Sequence, residues 1–177
     1  MRLTRRQVLA GLALTATPLA AEPGVASAAS LARAVDPPAD ISELLIHDAD
    51  GQPVSMTDWR GRWVVLNLWG PWCLPCKREM PSLLRLSQVL SPDRAIVLPL
   101  AFDWRGPLWV KKFYREEKIT GLPVLMGDGE NLNAVLGLSD LPTTVLINPE
   151  GHHAFTIPGE ATWDDAETLA WLEKLIG

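Results

Sequence analysis

Trp69-Gly-Pro-Trp-Cys-Leu-Pro-Cys-Lys-Arg-Glu-Met-Pro81 is the stretch whose reading decides the fold. It follows Trp63-Val-Val-Leu-Asn-Leu68, an apolar run rich in β-branched and aromatic residues that reads as a buried strand. It leads into Leu83-Leu-Arg-Leu-Ser-Gln-Val-Leu90, whose apolar spacing reads as a helix. Cys73 and Cys76 therefore fall at a strand-to-helix junction. There the unpaired N–H groups of the first turn and the positive end of the helix dipole favour negative charge, which for a cysteine means a thiolate. Position thus makes Cys73 the attacking sulfur. Cys76, one turn into the helix on the same face, is the resolving sulfur that can close a disulfide with it.

A Cys-x-x-Cys pair is also half of a zinc site, but the chain has no other cysteine. His47, His152 and His153 do not supply zinc-finger spacing, and the two histidines at 152 and 153 are expected at solvent beside a turn. A purely structural disulfide between neighbours on one helical turn would remove little loop entropy. No metal is expected, and the redox-active pair serves in place of a cofactor. Copper binding by the same two soft ligands is the alternative from another class, although no methionine-rich or Cys/His-rich cluster accompanies them.

The chain has 177 residues, enough for one domain with a substantial core. Arg2, Arg5 and Arg6 precede a short apolar run from Val8 to Ala21, and Thr4-Arg-Arg-Gln-Val-Leu9 resembles a twin-arginine export signal. Ala26-Ser-Ala28 offers a signal-peptidase site, so residues 1–28 read as a cleaved signal; an uncleaved membrane anchor is the alternative. Residues 29–40, with Pro37 and Pro38 and few large apolar groups, read as a flexible linker to a domain spanning 41–177. Removing 1–28 takes away three arginines and Glu22, leaving 13 basic and 20 acidic residues and a net charge of −7. That charge argues against nucleic acid or an anionic membrane surface as a partner and suits a soluble protein, while the signal implies a periplasmic or extracytoplasmic location; a monomer is expected.

Within 41–177 the patterns read β-β-β-α-β-α-β-α-β-β-α, beginning with a hairpin around Asp50-Gly51. This is an α/β fold, a central mixed sheet with helices on both faces and an N-terminal β-hairpin extension. Pro99 is expected to disturb its strand and Pro81 the active-site helix. Gly137 reads as a helix stop, and Thr162-Trp-Asp-Asp165 as the opening of the last helix, with Ala166, Leu169, Leu172 and Ile176 buried.

Asn67-Leu-Trp-Gly-Pro-Trp-Cys-Leu-Pro-Cys-Lys-Arg-Glu-Met-Pro81, Leu141-Pro-Thr-Thr144 and Ile147-Asn-Pro-Glu-Gly151 together resemble the thioredoxin superfamily. Within it the chain resembles the TlpA-like and ResA-like thiol–disulfide reductases, over about residues 41–177. The resemblance implies a cis peptide bond before Pro142, facing the dithiol. Leu141, Pro142 and Thr143 would then present backbone to an extended substrate by strand addition. It implies an apolar rim from Trp72 and Pro75. Asn67 occupies the place where cytoplasmic thioredoxins keep a buried aspartate, so proton exchange must lie elsewhere. Glu79, one turn beyond Cys76, matches the family's proton partner; its other reading is an exposed helix carboxylate. The resemblance further implies reduction of disulfides in exported proteins, such as apocytochrome c or copper-delivery proteins, with electrons from a membrane thiol-transferring reductant. A dithiol oxidase or isomerase is the alternative within the same chemistry.

Overall fold

The structure, a computed structural model, describes residues 24–177. Its centre is the strand predicted from Trp63-Val-Val-Leu-Asn-Leu-Trp69, all but the first of whose residues are buried. In chain order the elements are α1 (Ala28–Leu31), β1 (Arg33–Asp40), β2 (Ile46–Asp48), β3 (Pro53–Val54) and β4 (Trp63–Trp69). There follow α2 (Leu74–Val89), β5 (Ala95–Ala101), α3 (Pro107–Glu116), β6 (Leu125–Gly127) and α4 (Gly129–Leu136). The chain ends with β7 (Thr143–Ile147), β8 (His152–Pro158) and α5 (Ala166–Ile176). From β2 onward this is the order read from the sequence.

One sheet runs β1-β8-β7-β4-β5-β6-β2-β3. β4 lies parallel to β5 and antiparallel to β7, and β5 lies parallel to β6, so the sheet is mixed. Alternation along β4 sends Val65 and Trp69 to one face and Val64, Leu66 and Leu68 to the other. The first face packs with Met80, Leu83 and Leu86 of α2, Val110 and Phe113 of α3, and Leu172 of α5. The second packs with Leu132 of α4 and Met56. The β5 ladder passes through Pro99 in unbroken register opposite Asn67, contrary to the expected irregularity. α2 runs from Leu74 to Val89 with Pro81 inside it, where proline cannot donate to the Lys77 carbonyl.

The linker expectation for residues 29–40 is overturned. α1 occupies its start, and β1 pairs antiparallel with β8 as an edge strand, with a register shift between Ala34 and Ala39. Proline is tolerated at such an edge because its missing N–H need not face a partner strand, so Pro37 and Pro38 do not mark a loose segment. His153 is corrected by the same fact: β1 on one side and β7 on the other bury it, and its Nε2 lies 2.9 Å from Thr156 Oγ1. Burial lowers its pKa below the ordinary histidine value. The last helix opens later than expected, capped by Asp165, whose Oδ1 accepts from the N–H groups of Glu167 and Thr168. Leu172 and Thr168 are its buried residues, whereas Ala166 is exposed.

Most of the expected signal, residues 1–23, lies outside the described residues. Its last residues pack on the domain. The Ala28 N–H donates to the Thr162 carbonyl at 3.1 Å, the Thr162 N–H donates to the Ala26 carbonyl at 2.8 Å, and Ser27 Oγ donates to Glu167 at 2.8 Å. Ala28 is fully buried in the core. Cleavage after Ala28 would strip these contacts, each hydrogen bond being worth about 1 kcal/mol. A chain beginning at Ala29 is therefore expected to melt roughly 5 °C or more below one beginning at Gly24, followed by circular dichroism. Coincident melting curves would show that residues 24–28 contribute nothing to the fold.

Candidate functional site

β4 delivers the chain to Gly70-Pro71-Trp72, a turn closed by the Cys73 N–H donating to the Gly70 carbonyl at 3.0 Å. A Cβ at Gly70 would lie 2.8 Å from the Trp72 ring and 3.1 Å from the Phe102 carbonyl oxygen, so only glycine lets the indole approach so closely. Trp72 Nε1 donates to that Phe102 oxygen at 3.0 Å. The ring is thus fixed, and Trp72 is exposed next to Cys73. Trp69, one turn earlier, is instead a core residue, stacked on Tyr114 at 5.9 Å and tilted against Phe113 at 5.2 Å.

Cys73 is the N-cap of α2. Its sulfur is bonded to that of Cys76, and the Cys76 N–H points at Cys73 Sγ from 3.3 Å. The junction read from the sequence is therefore real, and the cap position brings helix N–H groups to the first sulfur. Pro75 stands in the first turn, where it has no helix bond to lose, and Leu74 is exposed beside it. Cys76 is fully buried behind them.

Glu79 is also buried, one turn beyond Cys76, which removes the surface-carboxylate reading. Its Oε1 accepts from Asn67 Nδ2 at 2.7 Å, and its Oε2 accepts from the Ala161 N–H at 3.1 Å and Trp163 Nε1 at 3.4 Å. Desolvation pushes its pKa up to about 7, although all three donors pull the other way. Asn67 Nδ2 donates as well to Thr144 Oγ1 at 2.9 Å, while its own buried Oδ1 has no partner among the described residues. Lys77 lies over the Phe113 ring at 5.3 Å, and Arg78 forms a salt bridge with Glu160.

The Leu141–Pro142 bond is cis. Register places Thr143 opposite Leu68, two residues short of the Gly70 turn, so the Pro142 loop borders the dithiol end of β4. The Pro142 carbonyl accepts from the Gly159 N–H at 2.9 Å, and Thr143 Oγ1 donates to the Asp140 carbonyl at 2.8 Å. Leu141 makes no backbone hydrogen bond among the described residues. The sequence reading thus located Trp72, Cys73, Pro75, Cys76, Glu79, Leu141, Pro142 and Thr143 around one end of the sheet. It missed Ala161 and Trp163. A tryptophan set among Thr162, Asp164 and Asp165 hints at burial, but nothing local names the carboxylate that it faces. Among the described residues no group of three or more His, Cys, Asp or Glu side chains is gathered as a metal site. No described helix is long and apolar enough to cross a membrane.

A vicinal disulfide-forming pair at the start of the helix that follows the central strand, beside a cis-proline loop, defines a thiol–disulfide oxidoreductase of thioredoxin-like fold. Residues 37–153 match the AhpC/TSA family, and the chain belongs to that family and to its ResA-like oxidoreductases. It is 32% identical over 123 residues to the thiol-disulfide oxidoreductase ResA of Geobacillus thermodenitrificans strain NG80-2, covering 70% of each chain. It is 30% identical over 131 residues to ResA of Bacillus thuringiensis strain Al Hakam, covering 74% of this chain and 73% of that one. The structure also resembles the pneumococcal exposed lipoprotein thioredoxin Etrx1 of Streptococcus pneumoniae strain TIGR4. The TM-score is 0.59 at 26% identity, over 75% of this chain and 96% of that one.

The buried carboxylate gives the site a pH signature. Folded protein holds the Glu79 proton more tightly than the unfolded chain, whose carboxyl titrates near 4.5. The stability so contributed is full below that value and is lost as pH rises through about 7. Wild type should therefore lose roughly 2 kcal/mol relative to Glu79→Gln between pH 5 and pH 8, measured by urea unfolding of the oxidised proteins. A constant offset at both pH values would contradict the assignment.

Proposed function

We propose that the protein is an exported reductase that opens disulfides in other extracytoplasmic proteins. The burial of Glu79 carries this reading. A couple becomes more oxidising as its reduced form is stabilised, and a carboxylate behind Cys76 disfavours the second thiolate. The site is thereby biased towards giving its electrons away. The helix N-terminus acts oppositely on Cys73, favouring the thiolate that starts the reaction.

In the reaction Cys73 sulfur attacks one sulfur of the substrate disulfide and the other departs as a thiol. Cys76 then loses its proton, bonds to Cys73 and expels the second substrate thiol, so that two electrons have moved and the Cys73–Cys76 disulfide remains. Glu79, with a pKa near neutrality, is the acceptor proposed for the Cys76 proton. The free backbone at Leu141 supplies an edge for an extended substrate segment, held beside Pro142 and Thr143 and against the rim of Trp72 and Pro75. Apocytochrome c and copper-delivery proteins are candidate substrates, and a membrane thiol-transferring protein the source of electrons. The Thr4-Arg-Arg-Gln-Val-Leu9 signal and the likeness to an exposed lipoprotein support an extracytoplasmic site of action.

Cys76→Ser should accumulate mixed disulfides with exported proteins, whereas Cys73→Ser should not, as read by non-reducing electrophoresis and mass spectrometry. Equal trapping by the two variants would overturn the division of labour. In a glutathione buffer Glu79→Gln should hold a larger reduced fraction than wild type. An unchanged fraction would remove Glu79 from control of the couple.

A further inference from the structure

Among the described residues, five of the eight exposed large apolar side chains fall in two short stretches, Trp72 and Leu74 at the dithiol and Trp104, Leu108 and Trp109 at the start of α3. Trp104 is 91% exposed, yet it does not sit on a loose loop. The wholly buried Asp103 carboxylate accepts from the Arg105 N–H at 2.8 Å, from Arg105 Nε at 2.9 Å and from Arg105 Nη2 at 2.6 Å. The Gly106 N–H donates to the Asp103 carbonyl at 2.9 Å and closes the turn. Trp72 is pinned as described and the turn orders the backbone that carries Trp104, so two indoles project into solvent from ordered chain. A cleft of about 560 Å³ separates them, floored by Phe102 and Gly127 and lined as well by Asp128, so it suits an apolar side chain and not the carboxylates. Gly127 leaves that floor open: a Cβ there would meet the Phe102 ring at 2.7 Å.

Cations stand on the other side of Trp72. The Arg105 guanidinium lies 4.1 Å and Lys112 Nζ 4.9 Å from the Trp109 ring centroid, and Lys77 is close by on Phe113. The depression that these side chains share with Trp72 contains one carboxylate, Glu116, which pairs with Lys112 at 3.7 Å, and the Arg105 charge is met from outside it by Asp103, so Lys77 and the loosely paired Lys112 carry the positive charge of this face. This basic patch belongs to a chain whose net charge is −5. Exposed aromatics on a rigid base, ringed by polar groups, are the composition of an interaction surface. Cys73 follows Trp72 directly, so whatever covers the patch also approaches the dithiol.

We propose that this face docks the segment of the substrate protein next to its disulfide, a segment with an apolar side chain for the Trp72–Trp104 cleft and carboxylates for Lys77 and Lys112. The inference rests on the reductase reading and adds to it a substrate class, disulfides with acidic and apolar flanks. A protein partner is favoured over a membrane because a bilayer on the same face would cover the dithiol mouth. A second copy of the chain would do the same.

The test uses peptides that each contain one disulfide and the same neighbouring phenylalanine, with flanks of aspartate, serine or lysine. Reduced full-length protein is mixed with each, and the rate of oxidation of its dithiol is followed by stopped-flow fluorescence. The acidic peptide should react about tenfold faster than the basic one at low salt, with the serine peptide between, and 0.5 M salt should collapse the ratio. Lys77→Glu with Lys112→Glu should bring the ratio to about one or invert it, while Arg105 is left in place because it holds the turn. Trp104→Ala should slow all three peptides severalfold and keep their order. Equal rates for the acidic and basic peptides, or a ratio indifferent to charge reversal, overturn the proposal and leave the reductase reading standing. Failure to reduce any peptide overturns both. Sedimentation of the protein with anionic phospholipid vesicles, or a dimer lost in Trp104→Ala, would assign the face to a membrane or to self-association instead.

Discussion

The hydrogen bonds that converge on the Glu79 carboxylate tie α2 to the centre of the sheet and to the segment between β8 and α5. Asn67 contributes from β4, and Ala161 and Trp163 from that segment. The same two anchors reach the proline loop. Asn67 also holds Thr144, two residues beyond Pro142, and Gly159, two residues before Ala161, donates to the Pro142 carbonyl. A closed circuit therefore runs from the dithiol helix through the carboxylate to the Pro142 loop, the two parts proposed to meet a substrate together. Burying an unpartnered carboxylate would cost several kcal/mol, so the donors are needed for Glu79 to be buried at all.

That circuit explains which parts of the molecule were legible in the sequence. The apolar run of β4, the Cys73–Cys76 spacing and the Gly137 stop, which adopts φ +64°, are local signals, and each became the expected element. Glu79 could be assigned to a helical face because it lies three residues from Cys76. Two of its three donors, Ala161 and Trp163, lie 82 and 84 residues away, and no periodicity encodes such a pairing. The N-terminal error has a different origin. Pro37, Pro38 and the small residues around them are poor strand formers, so propensity indicated a linker, yet an edge position on β8 asks little of them. Once β1 was misread, His153 was misread with it, because the strand that buries it was missing from the picture.

The exposed aromatics show the limit of pattern reading from the opposite side. Trp104 and Trp109 fall in Phe102-Asp-Trp-Arg-Gly-Pro-Leu-Trp109, where tryptophans argue for a core and the charges and glycine argue for a loop. The structure resolves the conflict by burying the carboxylate of Asp103 and exposing the ring of Trp104. Arg105 neutralises that carboxylate and holds its pKa below the usual range.

Asparagine at position 67 suits the burial of Glu79 and the proton transfer proposed for it. A second carboxylate within hydrogen-bonding distance of Glu79 could not be ionised together with it, and one of the two would be driven far above neutral pH. Asparagine offers an N–H instead. With the donors from Ala161 and Trp163 it stabilises the anion and offsets part of the desolvation that burial imposes. The outcome is one titrating carboxyl with a pKa near 7, high enough to hold a proton briefly and low enough to release it in neutral solution. Burial alone would overshoot that range, and a solvent-facing glutamate would fall well below it. The position of the acid on the helix, with its donors on the strand and the loop, thus balances two opposing effects that a strand aspartate beside the same glutamate would not.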